Sequence, residues 1–227
     1  MKIICVGSHP DDVELAMGGT AAFLSHSGHE ILFADLSDGE PTPRGDRETR
    51  ILESSESAEI LKVKRILLNN RNRYFEDTVS ARESLAEVFR EFRPGLIFTH
   101  FPYDAHPDHI SACRITDAAR FYSKLTKTAM KGEPYYPPKI IYYFPNHIHL
   151  NIIPSFCSDT AGYSELKFKA LCCYRSQFPE GEKSELLKRK METDRYFGIR
   201  VGSETAEPFY SRESLNIQFL SEVFKRR

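Results

Sequence analysis

The sequence predicts an α/β fold: a Rossmann-like, mostly parallel sheet with helices on both faces. Three observations carry that expectation. Five short apolar runs recur before residue 145, amphipathic segments separate them, and the two segments richest in paired histidine and aspartate directly follow the first and fourth runs.

The first run, KIICV (2 to 6), is apolar throughout, as suits a strand buried on both faces. It opens into GSHPDDVELAMGGT (7 to 20), and a helix is predicted over 13 to 27. Gly18 and Gly19 each cost about 1 kcal/mol relative to alanine within a helix, so their presence predicts close packing of that helix on the sheet. EILFADL (30 to 36) is the second predicted strand, 47 to 62 the second helix and KRILLN (64 to 69) the third strand. Over 80 to 93, Leu85, Val88, Phe89 and Phe92 follow the i, i+3, i+4, i+7 spacing of one helix face. GLIFTH (95 to 100), a helix from 107 to about 124 and KIIYYF (139 to 144) complete an order that favours right-handed crossovers, with ligands at the carboxyl ends of the strands. After residue 160 come two helix-like stretches, about 163 to 176 and 183 to 197, then an irregular tail, ETAEPFYSRESL, expected to cover the same core. No repeat or long linker divides the chain, so 1 to 227 reads as one domain.

Composition narrows the function classes. With 31 basic and 32 acidic residues the formal net charge is -1, which argues against a nucleic-acid partner recruited by bulk electrostatics and favours small-molecule chemistry. Five cysteines, an odd number without a CxxC pair, read as free, mostly buried thiols. The N-terminal apolar run is too short for a signal peptide and no stretch approaches membrane-spanning length, so a cytoplasmic location is expected. Only Gly7 precedes the first helix, so the glycine fingerprint of nicotinamide and flavin binding is missing.

The segments after strands one and four share an HPD core: SHPDD and HFPYDAHPDH. His9, Asp12 and His109 offer two imidazoles and one carboxylate, a set suited to one catalytic zinc with a coordination position open. If Asp12 ligates the metal, its neighbour Asp11 is left to take a proton from water, which would explain the doublet. Asp108 lies between His106 and His109, and a carboxylate bonded to His106 would favour a cationic ring able to hydrogen-bond an oxyanion. Helix capping is the plainer role for any one of Asp11, Asp12 or Asp108. Caps, however, do not call for histidines, and two HPD segments at two strand ends exceed what capping explains.

On these residues the chain resembles the zinc-dependent N-deacetylases of the LmbE or PIG-L type, whose signature of His-Pro-Asp-Asp-x-Glu answered by His-Pro-Asp-His is complete in SHPDDVE (8 to 14) and HPDH (106 to 109). GDRETRILESSESAEIL (45 to 61) resembles the family's arginine-bearing helix. YRSQF (174 to 178) and RYFGIRVGSETAEPFYS (195 to 211) are similar to the branch that deacetylates N-acetylglucosaminyl malate in bacillithiol synthesis. The resemblance implies an LmbE-like fold, His9, Asp12 and His109 as zinc ligands, Asp11 as general base, and His106, held by Asp108, as oxyanion stabiliser. It also implies Arg50 as a sugar contact, for which a solvated helix charge is the plain alternative.

In NNRNRYFED (69 to 77) the chain departs from its relatives' commonest pattern, and Arg73 becomes the candidate sugar or anion contact there. His147 and His149 share a face if 145 to 154 is extended, and read as a polar rim or surface because no further carboxylate lies near. Glu14 suits the positive end of the first helix or supports a ligand. The leading expectation is a single-zinc amidase acting on a small N-acetylated sugar, with homo-oligomerisation left open. Its alternatives are a two-metal phosphoesterase and a non-catalytic sugar-binding relative.

Overall fold

The computed structural model describes residues 1–148 and 150–225, so His149 lies outside the described residues. Among the described residues, seven strands form one sheet in the order β3-β2-β1-β4-β5-β7-β6. The five predicted strands are β1 (Lys2–Gly7), β2 (Glu30–Asp35), β3 (Lys64–Leu67), β4 (Leu96–His100) and β5 (Ile140–Tyr143), and all run parallel. Alternate β1 residues serve opposite cores: Ile4 and Val6 pack with α3 (Val79–Phe92) and α4 (Pro107–Tyr122), whereas Ile3 and Cys5 pack with α1 (Asp12–His26) and the end of α2 (Arg47–Leu61). That two-sided burial is why β1 is apolar at every inner position.

The tail departs from expectation. Ala206–Tyr210, read as irregular cover, is strand β7, inserted antiparallel between β5 and β6 (Phe156–Asp159). Two residues hide it in the sequence: Pro208, which has no N–H for a ladder, and Glu207, a carboxylate that is fully buried. Glu207 accepts from Lys167 Nζ at 2.6 Å on α5 (Ser164–Cys172), and from the backbone N–H groups of Gly19 and Thr20 at 3.0 and 2.7 Å. Those amides are available because α1 kinks at Met17, whose φ/ψ of -147/27 interrupts the helix.

The two glycines beside the kink allow close packing, though chiefly onto α5 and the 160 turn. A Cβ at Gly18 would lie 3.0 Å from Lys167 Cγ, and one at Gly19 3.0 Å from Thr160 Cβ. Lys167 also donates to Asp194 at 2.6 Å on α6 (Glu185–Val201), so one buried ammonium joins α5, α6 and β7. A final helix, α7 (Ile217–Val223), adds Val223 to the α1 side of the core. Among the described residues no helix is long and apolar enough to cross a membrane.

Candidate metal and catalytic site

β1 and β4 are hydrogen-bonded neighbours, with Cys5 opposite Phe98, although nearly a hundred residues separate them. β2 lies on the other side of β1, so the strand order reverses here and the loops after β1 and β4 part to leave a crevice. Both HPD segments enter it, and a cavity of about 640 Å³ opens above them.

His9, Asp12 and His109 are all buried, and one donor atom from each lies within 4.8 Å of the others. Asp12 sits between the rings, Oδ2 3.3 Å from His9 Nδ1 and Oδ1 3.1 Å from His109 Nε2. Asp12 does not cap α1; its Oδ2 accepts from the N–H of His9 at 2.9 Å. The environment of His109 tests whether a metal fits. Its Nδ1 lies 2.7 Å from Asp104 Oδ2, while Nε2 is buried with no hydrogen-bond partner despite its closeness to Asp12. An imidazole whose Nδ1–H is given to a carboxylate presents the Nε2 lone pair, the arrangement of a metal-bound histidine. Burial opposes charge on His109, but Asp12 and Asp104 outweigh it and raise the ring to about 10. A field that holds a proton there also favours a metal cation, and the donor set of two nitrogens and one oxygen suits zinc with an open position.

Asp11 precedes α1 but makes no capping bond, and its φ of 106° is a conformation that non-glycine residues rarely adopt. Its Oδ2 accepts from Arg50 Nη2 at 3.2 Å, and the same nitrogen donates to the Pro10 carbonyl at 2.8 Å. Burial pushes Asp11 up to about 7, with Arg50 pulling down and Asp12 pushing up. Arg50 is therefore placed against the expected base and is only 3% exposed, not solvated as its plain alternative would have it.

His106 lines the cavity, but the pairing expected with Asp108 is not made. His106 Nδ1 instead accepts the backbone N–H of Asp108 at 3.2 Å, as the N-cap of α4. This leaves Nε2 as the proton-bearing nitrogen of the neutral ring. Burial and the nearby His109 and His9 lower the pKa of His106, so the donor it offers is a neutral N–H rather than the expected imidazolium. The Asp108 carboxylate faces His9 Nε2 at 3.2 Å and accepts the backbone N–H of Arg73 at 2.8 Å. The helix geometry turns the Asp108 side chain away from its neighbour and across to the β1 loop. Arg73 lines the cavity with φ 67°, and its Nη2 donates to the Pro41 carbonyl at 2.8 Å, tying the 69 to 77 loop to the one after β2. His147 lies at the cavity, its ring centroid 5.1 Å from that of His109.

Two contributors escaped the sequence, and a third was visible there without its partners. His100, the last residue of β4, is buried; its Nε2 accepts the Ser8 N–H at 2.9 Å, and burial with the adjacent His109 pushes it down to about 4. Asp104 stood in a segment already singled out, but no periodicity ties a loop aspartate to a ring five residues on. Glu14 was visible without its partners: it is fully buried and accepts from Ser57 Oγ at 2.7 Å, Tyr174 Oη at 2.6 Å and Arg65 Nη1 at 2.8 Å. Three side chains from distant segments thus anchor the first turn of α1.

Comparison with known proteins places the chain in a family. The PIG-L family model, described as GlcNAc-PI de-N-acetylase, matches residues 4–120. The diacetylchitobiose deacetylase of Thermococcus kodakarensis is 29% identical over 91% of this chain and 81% of its own. A conserved protein of Thermus thermophilus superposes with a TM-score of 0.87 at 32% identity, covering 94% of this chain and 96% of that one. The N,N'-diacetylchitobiose deacetylase of Pyrococcus horikoshii gives 0.80 at 27% identity over 92% and 82%. With both halves of its signature gathered in one crevice and the match spanning β1 through α4, this chain belongs to the PIG-L family of N-deacetylases.

Proposed function

We propose that the chain is a zinc-dependent hydrolase that removes the N-acetyl group from a small N-acetylglucosamine-type conjugate. The observation that carries this reading is the division between the adjacent carboxylates. Both oxygens of Asp12 are directed at the rings of His9 and His109, while Asp11 stands apart against Arg50. An ion held by His9, Asp12 and His109 would polarise the acetyl carbonyl and acidify water. Asp11 accepts the proton released as water adds to the carbonyl carbon. His106 donates its Nε2–H to the carbonyl oxygen as negative charge develops there. The C–N bond then breaks, the proton held by Asp11 goes to the departing amine, and acetate is the second product. The cavity above has room for a sugar with an attached group, and its wall includes Arg73, Gln177 and Arg189.

The phosphoesterase alternative calls for two metals about 3.5 to 4 Å apart. Among the described residues each of the other two candidate donor groups takes His9 or His109 from the set of His9, Asp12 and His109, so neither provides a second cage beside that set. The test is a panel of N-acetylglucosaminides assayed for fluorescamine-reactive amine, with metal analysis of the purified protein. Amine release with one zinc per chain is expected; two tightly bound ions, or no amine from any member, would overturn the reading.

A further inference from the structure

We infer that the aglycone of the sugar substrate ends in an apolar group, aromatic or branched, received by a second cavity beside the catalytic one, an assignment that rests on the deacetylase reading. This cavity, of about 510 Å³, lies between α6 and the segment that follows β5. β5 runs parallel to β4, so Phe144, the residue after β5, leaves the sheet at the same edge as the HPD segments. The two cavities share three wall residues of α6: Arg189, Lys190 and Thr193. The segment after β5 divides between them as well, giving Asn146 and His147 to the catalytic cavity and Ile148 and Leu150 to the second. A group attached to a sugar seated over His9, Asp12 and His109 therefore reaches the second cavity by crossing one face of α6.

The polar groups stop at that boundary. Beyond the three shared residues the described wall is apolar or aromatic except for Glu192, with Phe144, Ile148, Leu150 and Phe197 among its members. The ring centroid of Phe144 stands 6.1 Å from that of Phe197 and 5.7 Å from that of Phe101, so the aromatic lining is braced from α6 and from the segment after β4. The boundary itself is held in place. Lys190 Nζ donates to Asp194 Oδ1 at 2.8 Å, and Asp194 Oδ2 accepts from the buried Lys167 at 2.6 Å, which ties the Lys190 side chain to the core. Apolar walls with a few fixed polar groups are the ordinary make-up of a small-molecule site, and an apolar recess rimmed by charge is the mark of a binding groove. This order of surroundings recognises an aglycone with a hydrogen-bond acceptor near the sugar, beside Lys190, and an apolar end beyond it.

The experiment compares the methyl and benzyl glycosides of N-acetylglucosamine, in one anomeric form, on wild type, Phe197→Ala and Ile148→Asp, with light scattering and melting temperature for each protein. In wild type the benzyl glycoside is expected to show a KM at least about 10-fold below that of the methyl glycoside at similar kcat. A remote apolar group strengthens ground state and transition state alike, and one methylene in an apolar pocket already changes discrimination by about 10- to 200-fold. The ratio of the two KM values is expected to fall to within about twofold of one in Phe197→Ala, which removes a wall, and in Ile148→Asp, which places a carboxylate in one. Equal KM values in wild type, with amine released from both glycosides, would overturn the inference and leave the deacetylase reading standing. So would a benzyl preference that survives both substitutions. If Phe197→Ala fails to fold, the KM ratio of Ile148→Asp decides alone. Self-association of the wild type that Ile148→Asp abolishes would give this face to a second copy of the chain and overturn the inference as well. No amine from either glycoside would count against the deacetylase reading itself, and the aglycone assignment would fall with it.

Discussion

Asp104 Oδ2 lies 2.7 Å from His109 Nδ1, a contact made by a carboxylate outside both HPD motifs. It fixes which nitrogen of His109 faces Asp12, and that orientation is what makes the crevice a candidate metal site.

Asp104→Asn is expected to weaken zinc affinity by about 10- to 100-fold, since the amide still occupies the position but loses the charge that favours the metal-binding tautomer. Competition against a fluorescent chelator measures this directly. His109→Ala, which deletes the ligand itself, should lose more affinity than Asp104→Asn; the reverse order would remove His109 from the ligand set.

Asp11→Asn separates the two carboxylates by function. Turnover is expected to fall by about 10²- to 10⁴-fold, the range for a positioned proton acceptor, while zinc content stays as in wild type. Amine release and metal analysis on the same preparation provide both readouts. Loss of zinc in this variant would place Asp11 among the ligands.

Glu14→Gln should destabilise the protein by about 3 kcal/mol, because Arg65 is left buried with one carboxylate, Asp35, in place of two. Urea unfolding gives the value. A change under about 0.5 kcal/mol would mean that the buried network contributes little net stability.

Lys167 yields a prediction about pH. Burial alone would lower its pKa, but Asp194 and then Glu207 raise it above the ordinary 10.5. A raised folded-state value means the stability it contributes is fully present below the ordinary lysine pKa and is lost as pH rises through the folded-state one. Lys167→Met should therefore lower the urea midpoint at pH 8 and show less further loss than wild type between pH 8 and 11. Parallel alkaline limbs for the two proteins would refute this.

The parts of the molecule that were legible in the sequence are those whose signals are local. Five strands and the helices between them followed from apolar runs and one-face spacing, as in Leu85, Phe89 and Phe92, all buried where the spacing put them. β7 was not legible, because Glu207 and Pro208 break the pattern of a strand and the reason lies in Lys167 and in amides freed by a helix kink. Nor did spacing reveal that Asp108 faces His9 rather than His106, since proximity along the chain says nothing about which way a side chain leaves a helix turn.

The sequence by itself determined which chemical groups are available and at which strand ends they stand, because strand and helix periods and the HPD motifs are written in contiguous residues. Only the tertiary structure decided how those groups pair. Ser8 with His100, His9 with Asp108 and Asp11 with Arg50 meet across 92, 99 and 39 residues. Such pairings depend on the register of β1 beside β4 and on the side-chain directions that packing imposes, and no short stretch of sequence encodes either.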